Sequence, residues 1–182
     1  ITFNELVDGN SHLTLNAGAG NLTFEKNVGS TTALNTLTAS GSNINIKGNV
    51  NTTALQTYNS PVTLFNHSTF TGNGIIFNNT LTGTGLDFTA NAGTGNLTFG
   101  NDVTLENITA NSTGITTFNT VTAASLVTNA GGTTSLNRNI TTTGSQTYND
   151  NVIIANNPTL TGNEITFNEL VDGNSHLTLN AG

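Results

Sequence analysis

The feature that most constrains this chain is an identical segment that occurs twice. Residues 1–18 read ITFNELVDGNSHLTLNAG, and residues 165–182 carry the same letters. Because such recurrence marks a tandem array, we expect one full period, residues 1–164, plus an overlap into the next copy. The chain is therefore expected to be a window on a longer repetitive protein.

Each period contains two related halves. LTLNAGAGNLTF (13–24) resembles FTANAGTGNLTF (88–99). LQTYNSPVTLFNHSTFTGNGIIFN (55–78) resembles SQTYNDNVIIANNPTLTGNEITFN (145–168). The predicted organisation is one continuous segment over 1–182, with half-repeats at about 13–87 and 88–176.

A finer rhythm of about 20 residues underlies the halves. Large inward candidates, mostly aromatic and often followed by Asn, recur at nearly this step along the sequence. Such a step suits one coil of a solenoid, in which equivalent side chains stack from coil to coil. The predicted core and ladder residues are Phe3, Phe24, Ile46, Tyr58, Phe65, Phe77, Phe99, Phe118, Leu136, Tyr148, Phe167, Asn59, Asn78, Asn119, Asn137 and Asn168.

Short alternating runs such as LTLN, LTFE and VTLFN predict strands of four or five residues, bounded by Asn, Gly, Ser or Asp. The 37 Thr and 32 Asn suit exposed strand faces and tight corners, respectively. No apolar stripe of helical period is present. The predicted fold is all-β, a parallel β-helix (β-solenoid) of about nine coils with roughly 20 residues in each.

The charge pattern excludes several partner classes. The net charge is −7, and the three basic residues, Lys26, Lys47 and Arg138, are scattered. Phosphate backbones and anionic membranes need clustered basic residues, so neither nucleic acid nor a membrane surface is an expected partner. No apolar run approaches the roughly 20 residues of a membrane span. Membrane insertion is therefore not expected.

Catalytic and metal-binding patterns are weak. Asp8, Ser11 and His12 are neighbours in a polar turn, and no GxSxG motif accompanies them, so we favour a turn over a triad. The ten acidic residues are dispersed without metal-ligand spacing or paired carboxylates. We therefore expect no enzyme activity, no catalytic or metal-binding residues and no cofactor.

Thr-x-Thr triplets raise the question of a flat threonine array. Their spacing along the sequence does not match one coil, so they are not expected to build a single array. The triplets lie at 36–38, 69–71, 82–84, 120–122, 141–143 and 159–161.

Three phrases carry a family resemblance: NAGTGNLTFGNDV (91–103), TTTGSQTYNDNV (141–152) and TLTGNEITFNELVDGNSHLTLNAG (159–182). In these the chain resembles the repeat region of large bacterial exoproteins of the filamentous haemagglutinin type. The resemblance implies a right-handed β-helix, export through a two-partner-secretion outer-membrane pore, and a place on the bacterial cell surface or outside the cell.

These observations predict a structural role. We expect a shaft segment of a giant bacterial surface or extracellular fibre, such as an adhesin, sheath or matrix filament. Its expected partners are copies of itself, end to end or laterally, and a host-cell, neighbour-cell or polysaccharide surface. The alternative is a carbohydrate-binding or carbohydrate-cleaving β-helix, which predicts clustered aromatic or acidic side chains on one outward face.

Overall fold

A computed structural model describes residues 1–182 as a β-solenoid of about nine turns, which confirms the predicted fold class. The chain contains strands and turns but no helix, so no helix long and apolar enough to cross a membrane is found. The strands are, in chain order, β1 Thr2–Phe3, β2 His12–Asn16, β3 Leu22–Phe24, β4 Thr36–Ser40, β5 Ile44–Ile46, β6 Val50–Asn51, β7 Gln56–Tyr58, β8 Val62–Leu64, β9 Ser68–Thr71, β10 Ile75–Phe77, β11 Leu81–Gly83, β12 Phe88–Asn91, β13 Leu97–Phe99, β14 Val103–Leu105, β15 Asn107–Asn111, β16 Ile115–Phe118, β17 Val121–Ala123, β18 Ser125–Thr128, β19 Thr133–Leu136, β20 Ile140–Thr142, β21 Ser145–Tyr148, β22 Asn151–Ile154, β23 Thr159–Gly162, β24 Glu164–Phe167, β25 Val171–Asp172 and β26 Thr178–Ala181.

The strands form three parallel sheets, which are the three faces of the solenoid. Face A is the 10-stranded sheet that begins with β1, face B is the 7-stranded sheet from β6 to β24, and face C is the 9-stranded sheet that begins with β2. Single bridges between Val7, Val28 and Val50 continue face B through the first coils. The chain visits the faces in the order A, B, C, and each circuit is one coil.

Alternation within each short strand places one row of side chains inside. In β3, Leu22 and Phe24 are buried and Thr23 points outward, and the same pattern recurs in most strands. Parallel pairing in register then stacks like on like, because Leu22 pairs with Ile44 and Phe24 with Ile46. The result is one continuous cluster of 35 buried apolar residues along the axis.

Coil length varies while the register is kept. The coil from Phe118 to its partner Leu136 is shorter than the coil from Phe77 to its partner Phe99. The strands on each face stay in register, so the difference is taken up at the corners. Because the corners differ in length, the number of residues between stacked positions is only approximately constant along the sequence.

Phe65 is a correction to the predicted core. Ile46 pairs with Leu64, so the following residue, Phe65, points outward and is 51% exposed. The predicted step from Ile46 is one residue longer than the observed coil, so it selects Phe65 instead of Leu64. The ring instead lies 5.7 Å from the Lys47 ammonium, which also forms a 2.8 Å ion pair with Glu25.

Candidate functional site

The most distinctive internal feature is a column of stacked rings on face C. The rings of Tyr58 and Phe77 stack at 5.0 Å, those of Phe77 and Phe99 at 5.5 Å, and those of Phe99 and Phe118 at 5.2 Å. Their planes lie within 11° of parallel, and Leu136 continues the column by pairing with Phe118. These residues are buried, so they serve the core and present nothing to a ligand.

Shorter ring stacks occur on the other two faces. Phe3 stacks on Phe24 at 5.3 Å on face A, and Tyr148 stacks on Phe167 at 5.1 Å on face B. Phe24 and Tyr148 are buried, and Phe3 and Phe167 pack against the core while partly exposed. Every face therefore carries at least one aromatic pair at coil spacing.

The predicted asparagine ladder is interrupted. The Nδ2 of Asn78 donates to the Oδ1 of Asn59 at 2.8 Å, but Gly100 occupies the equivalent corner of the next coil. Beyond it, Asn119 donates to the carbonyl of Phe99, and Asn137 accepts from Ser135 within its own coil. The ladder is thus a set of local pairs rather than a continuous row.

A second asparagine pair contains the predicted ladder residue Asn168 and a partner, Asn149, that the sequence reasoning missed. Asn168 donates through Nδ2 to the Oδ1 of Asn149 at 2.6 Å. The signal was present, because Tyr148-Asn149 repeats Tyr58-Asn59 in the second half of the period.

The buried glutamine–tyrosine pairs were also missed. The Tyr58 hydroxyl donates to the Oε1 of Gln56 at 2.9 Å, and the Nε2 of Gln56 donates to the Thr71 carbonyl at 2.7 Å. Tyr148 and Gln146 form the same 2.9 Å bond. Burial raises the pKa of both phenols, so each hydroxyl remains a donor.

Removing either hydroxyl should be costly. Tyr58→Phe leaves the Oε1 of buried Gln56 without its donor, and we expect a loss of about 2 kcal/mol in the free energy of unfolding. Tyr148→Phe should lose a similar amount because its bond has the same length. Urea unfolding followed by circular dichroism measures both, and Thr57→Ala, an outward change beside Tyr58, is the control. Unequal losses would show that the two pairs are not equivalent.

Asp150 is the only buried acidic residue. Its Oδ1 accepts hydrogen bonds from the hydroxyls of Thr128 and Thr134, both at 2.9 Å. Burial raises the pKa of the carboxyl above the ordinary value of 3.8, and the two hydroxyls only partly oppose that effect. The folded protein therefore holds this proton more strongly than the unfolded chain does.

The raised pKa of Asp150 determines how the stability of the protein changes with pH. Because the folded pKa is raised, the contribution of Asp150 to stability is largest below 3.8 and is lost as pH rises through the folded value. Asp150→Asn should remove this loss, so the variant should gain stability relative to the natural protein between pH 3.8 and neutrality. Urea midpoints across this range measure the difference. Exposed Asp102→Asn is the control, and identical pH profiles for Asp150→Asn and the natural protein would contradict the assignment.

The residues of the candidate triad have separate partners. The Oδ1 of Asp8 accepts from the backbone amides of Thr31 and Thr32, and the Thr31 amide lowers the pKa of this exposed carboxyl most. The Nδ1 of His12 lies 2.8 Å from the Thr36 hydroxyl. Asp8 therefore ties one coil to the next, as a turn residue would.

The outward side of face A carries a threonine column. The triplets themselves fall on all three faces, but the central residues of the face A strands pair in register as Thr63, Thr82, Thr104, Thr122, Thr141 and Thr161, with Thr2, Thr23 and Asn45 before them. Triplet spacing did not reveal this column, because its threonines are the first residue of some triplets (Thr82, Thr141) and the last of others (Thr122, Thr161), while Thr63 and Thr104 lie outside any triplet. Face A thus presents a nearly uncharged row of hydroxyl and methyl groups.

Two shallow grooves lie at the corners. One, between faces C and A, is lined by Gly100, Asn101, Asp102, Asn119, Thr120 and Arg138. The other, between faces B and C, is lined by Asn91, Gly93, Thr94, Asn111, Ser112, Thr113 and Asn129. Neither groove contains an aromatic or apolar side chain, and ligand pockets are usually lined by such groups.

Phe65 is the one well-exposed aromatic residue, and no group of three or more His, Cys, Asp or Glu side chains could hold a metal ion. No family model matches the chain, and no curated protein or solved structure is significantly similar to it.

Proposed function

We propose that this chain is a segment of the shaft of a long extracellular fibre on a bacterial surface, with a mechanical role. The observation that carries the proposal is that both halves of the sequence repeat continue one stack of three sheets. In such a stack each coil contacts only its neighbours, so further copies lengthen the rod without changing its cross-section.

The hydrogen bonding supports a stiff rod. Strand pairing is parallel on all three faces, so the ladder bonds run between coils, along the axis. Bending toward one face would stretch ladder bonds on the others, and the buried ring stacks resist sliding of one coil over the next. Stiffness of this kind suits a spacer that holds a distant part of a protein away from the cell.

The surface supports contact with like copies. Only 7% of residues are charged, so neighbouring rods would repel each other weakly. The proposed partners are copies of the chain end to end or side by side, and a cell or polysaccharide surface reached by the fibre. Bacterial origin and export through an outer-membrane pore come from the family resemblance alone.

Length is the decisive measurement. Arrays of one, two and three copies of residues 1–164 should appear by electron microscopy as rods that gain about 40 Å for each copy at constant width, at a coil spacing of about 4.8 Å. Particles that do not lengthen would contradict the proposal. Release of reducing ends from a polysaccharide by the same arrays would instead support a carbohydrate-cleaving β-helix.

A further inference from the structure

Identical sequence blocks occupy different faces of this solenoid. The ITFN at the start of the chain forms β1 on face A, whereas the same letters at 165–168 lie in β24 on face B. The HLTLN block forms β2 on face C, and its copy lies in β26 on face A. In both cases the second copy lies one face further along the winding of the chain.

The half-repeats are displaced as well, in their case by two faces along the winding of the chain. The recurrent turn, NAGAGN at 16–21 and NAGTGN at 91–96, lies first between faces C and A and then between faces B and C. Its geometry is unchanged, because Gly18 and Gly93 have φ values of 58° and 59°. The closing bond from Gly20 N to the Ala17 carbonyl is 3.0 Å, and that from Gly95 N to the Ala92 carbonyl is 3.1 Å.

The QTYN motif, at 56–59 and 146–149, repeats on two faces with the same internal bonds. In the first copy, on face C, Gln56 Nε2 lies 3.2 Å from the Thr52 hydroxyl and 2.7 Å from the Thr71 carbonyl. In the second, on face B, Gln146 makes the equivalent contacts at 3.3 Å and 2.8 Å.

The contacts around the QTYN motif are also the same in both copies. Tyr58 stacks on Phe77 at 5.0 Å and 11°, and Tyr148 stacks on Phe167 at 5.1 Å and 13°. A Cβ added to Gly72 would lie 2.8 Å from the Thr52 hydroxyl, and one added to the equivalent Gly162 would lie 2.6 Å from the Thr142 hydroxyl. The buried ring stack of the motif and the glycine at its corner are therefore both compatible with face B and with face C.

We infer that the three faces are interchangeable and that each tandem period turns the surface pattern by about 120° around the shaft. From β1 in the first coil to β24 in the ninth, one period spans eight coils and one further face. Three periods then span 25 coils before any feature returns to its starting face. At about 4.8 Å for each coil this is a true repeat of about 120 Å.

The rotation defines the interaction surface of the fibre. The recurrent turn exposes Gly, Asn and Ala or Thr, and rotation presents it at the three corners in succession. A partner that binds this turn, or any other surface that recurs once in each period, would find sites on all sides of the shaft. The shaft is thus built for contacts in three directions rather than for packing on one preferred side.

A labelled array tests the rotation. The chain has no cysteine, so Thr94→Cys in each of three tandem copies of residues 1–164 gives one exposed attachment point for a maleimide gold cluster in each period. Electron tomography should show successive labels about 40 Å apart along the rod and turned by about 120°. Labels in a single line along one side would overturn the inference.

Two labels at stacked positions within one copy provide the matched control for the label geometry. Thr113 lies one coil above Thr94 at the same corner, where its amide donates to the Gly93 carbonyl at 2.9 Å. Labels at Thr94→Cys and Thr113→Cys within one copy should therefore lie at the same azimuth. The inference rests on tandem repetition rather than on the proposed function. Rods that lengthen but carry in-line labels would overturn the rotation and leave the shaft proposal standing.

Discussion

Replacing Phe99 with alanine is expected to lower the free energy of unfolding by about 3–5 kcal/mol, because the ring is fully buried. Phe99 stacks on Phe77 and Phe118, and Phe88 meets it edge-on at 6.4 Å and 80°. Each aromatic pair adds to the burial energy, so the loss should lie near the upper end of that range. Urea denaturation followed by circular dichroism gives the value.

Phe65→Ala is the matched control for Phe99→Ala. It removes the same side chain from an outward position, where the ring is half exposed and its specific contact is the Lys47 ammonium. A cation–π contact at such a site contributes about 0.5–1 kcal/mol, so the loss should be correspondingly small. Equal losses for Phe65→Ala and Phe99→Ala would contradict the placement of the face C column as the core.

The solenoid was predictable because its inward residues are large and recur at nearly constant steps. Tyr58, Phe77, Phe99 and Phe118 are separated by about one coil, and parallel pairing in register stacks them on one another. Short alternating strands bounded by Asn and Gly pointed to the same architecture. Fold class and coil number could therefore be obtained from sequence without relatives.

Residue-level register was less predictable, because corners differ in length. Between Ile46 and Leu64 the coil is shorter than the prediction assumed, and this error placed the outward Phe65 in the predicted core. A slip of one residue reverses the side to which a strand side chain points. The asparagine ladder is interrupted for a different reason: Phe77 and Phe99 pair in register, but the corner that follows Phe99 carries Gly100 instead of asparagine.

Contacts between corners and the core lay beyond sequence reasoning. Asp150 has the sequence context of an ordinary turn residue, yet it is buried against hydroxyls from two strands of the preceding coil. The rotation of the repeat was hidden for the same reason. The recurrence of residues 1–18 at 165–182 does not say on which face the second copy lies until every corner has been placed.

Gly95→Ala is expected to cost about 3 kcal/mol, as overpacking against immobile atoms does. A Cβ on Gly95 would lie 2.7 Å from both Asn73 C and Gly74 Cα and closer still to the Gly74 amide nitrogen. These are backbone atoms of the neighbouring coil, which the parallel ladders hold in place on both sides of the corner. Relieving this clash would require the two coils to separate. Urea unfolding measures the resulting loss in the free energy of unfolding.

Gly20→Ala tests whether the cost of Gly95→Ala comes from stacking or from the turn itself. Gly20 occupies the same position of the recurrent turn and makes the same bond to the turn carbonyl, but its added Cβ would meet only the Ala17 carbonyl oxygen, at 3.3 Å. Its effect should stay within about 1 kcal/mol of zero, because alanine also restricts the unfolded chain. If the two substitutions cost the same, the turn's own conformation sets the need for glycine. If only Gly95→Ala is costly, the need for glycine arises from the preceding coil, which lies beside Gly95 and is absent beside Gly20 because Gly20 closes the first coil of the chain.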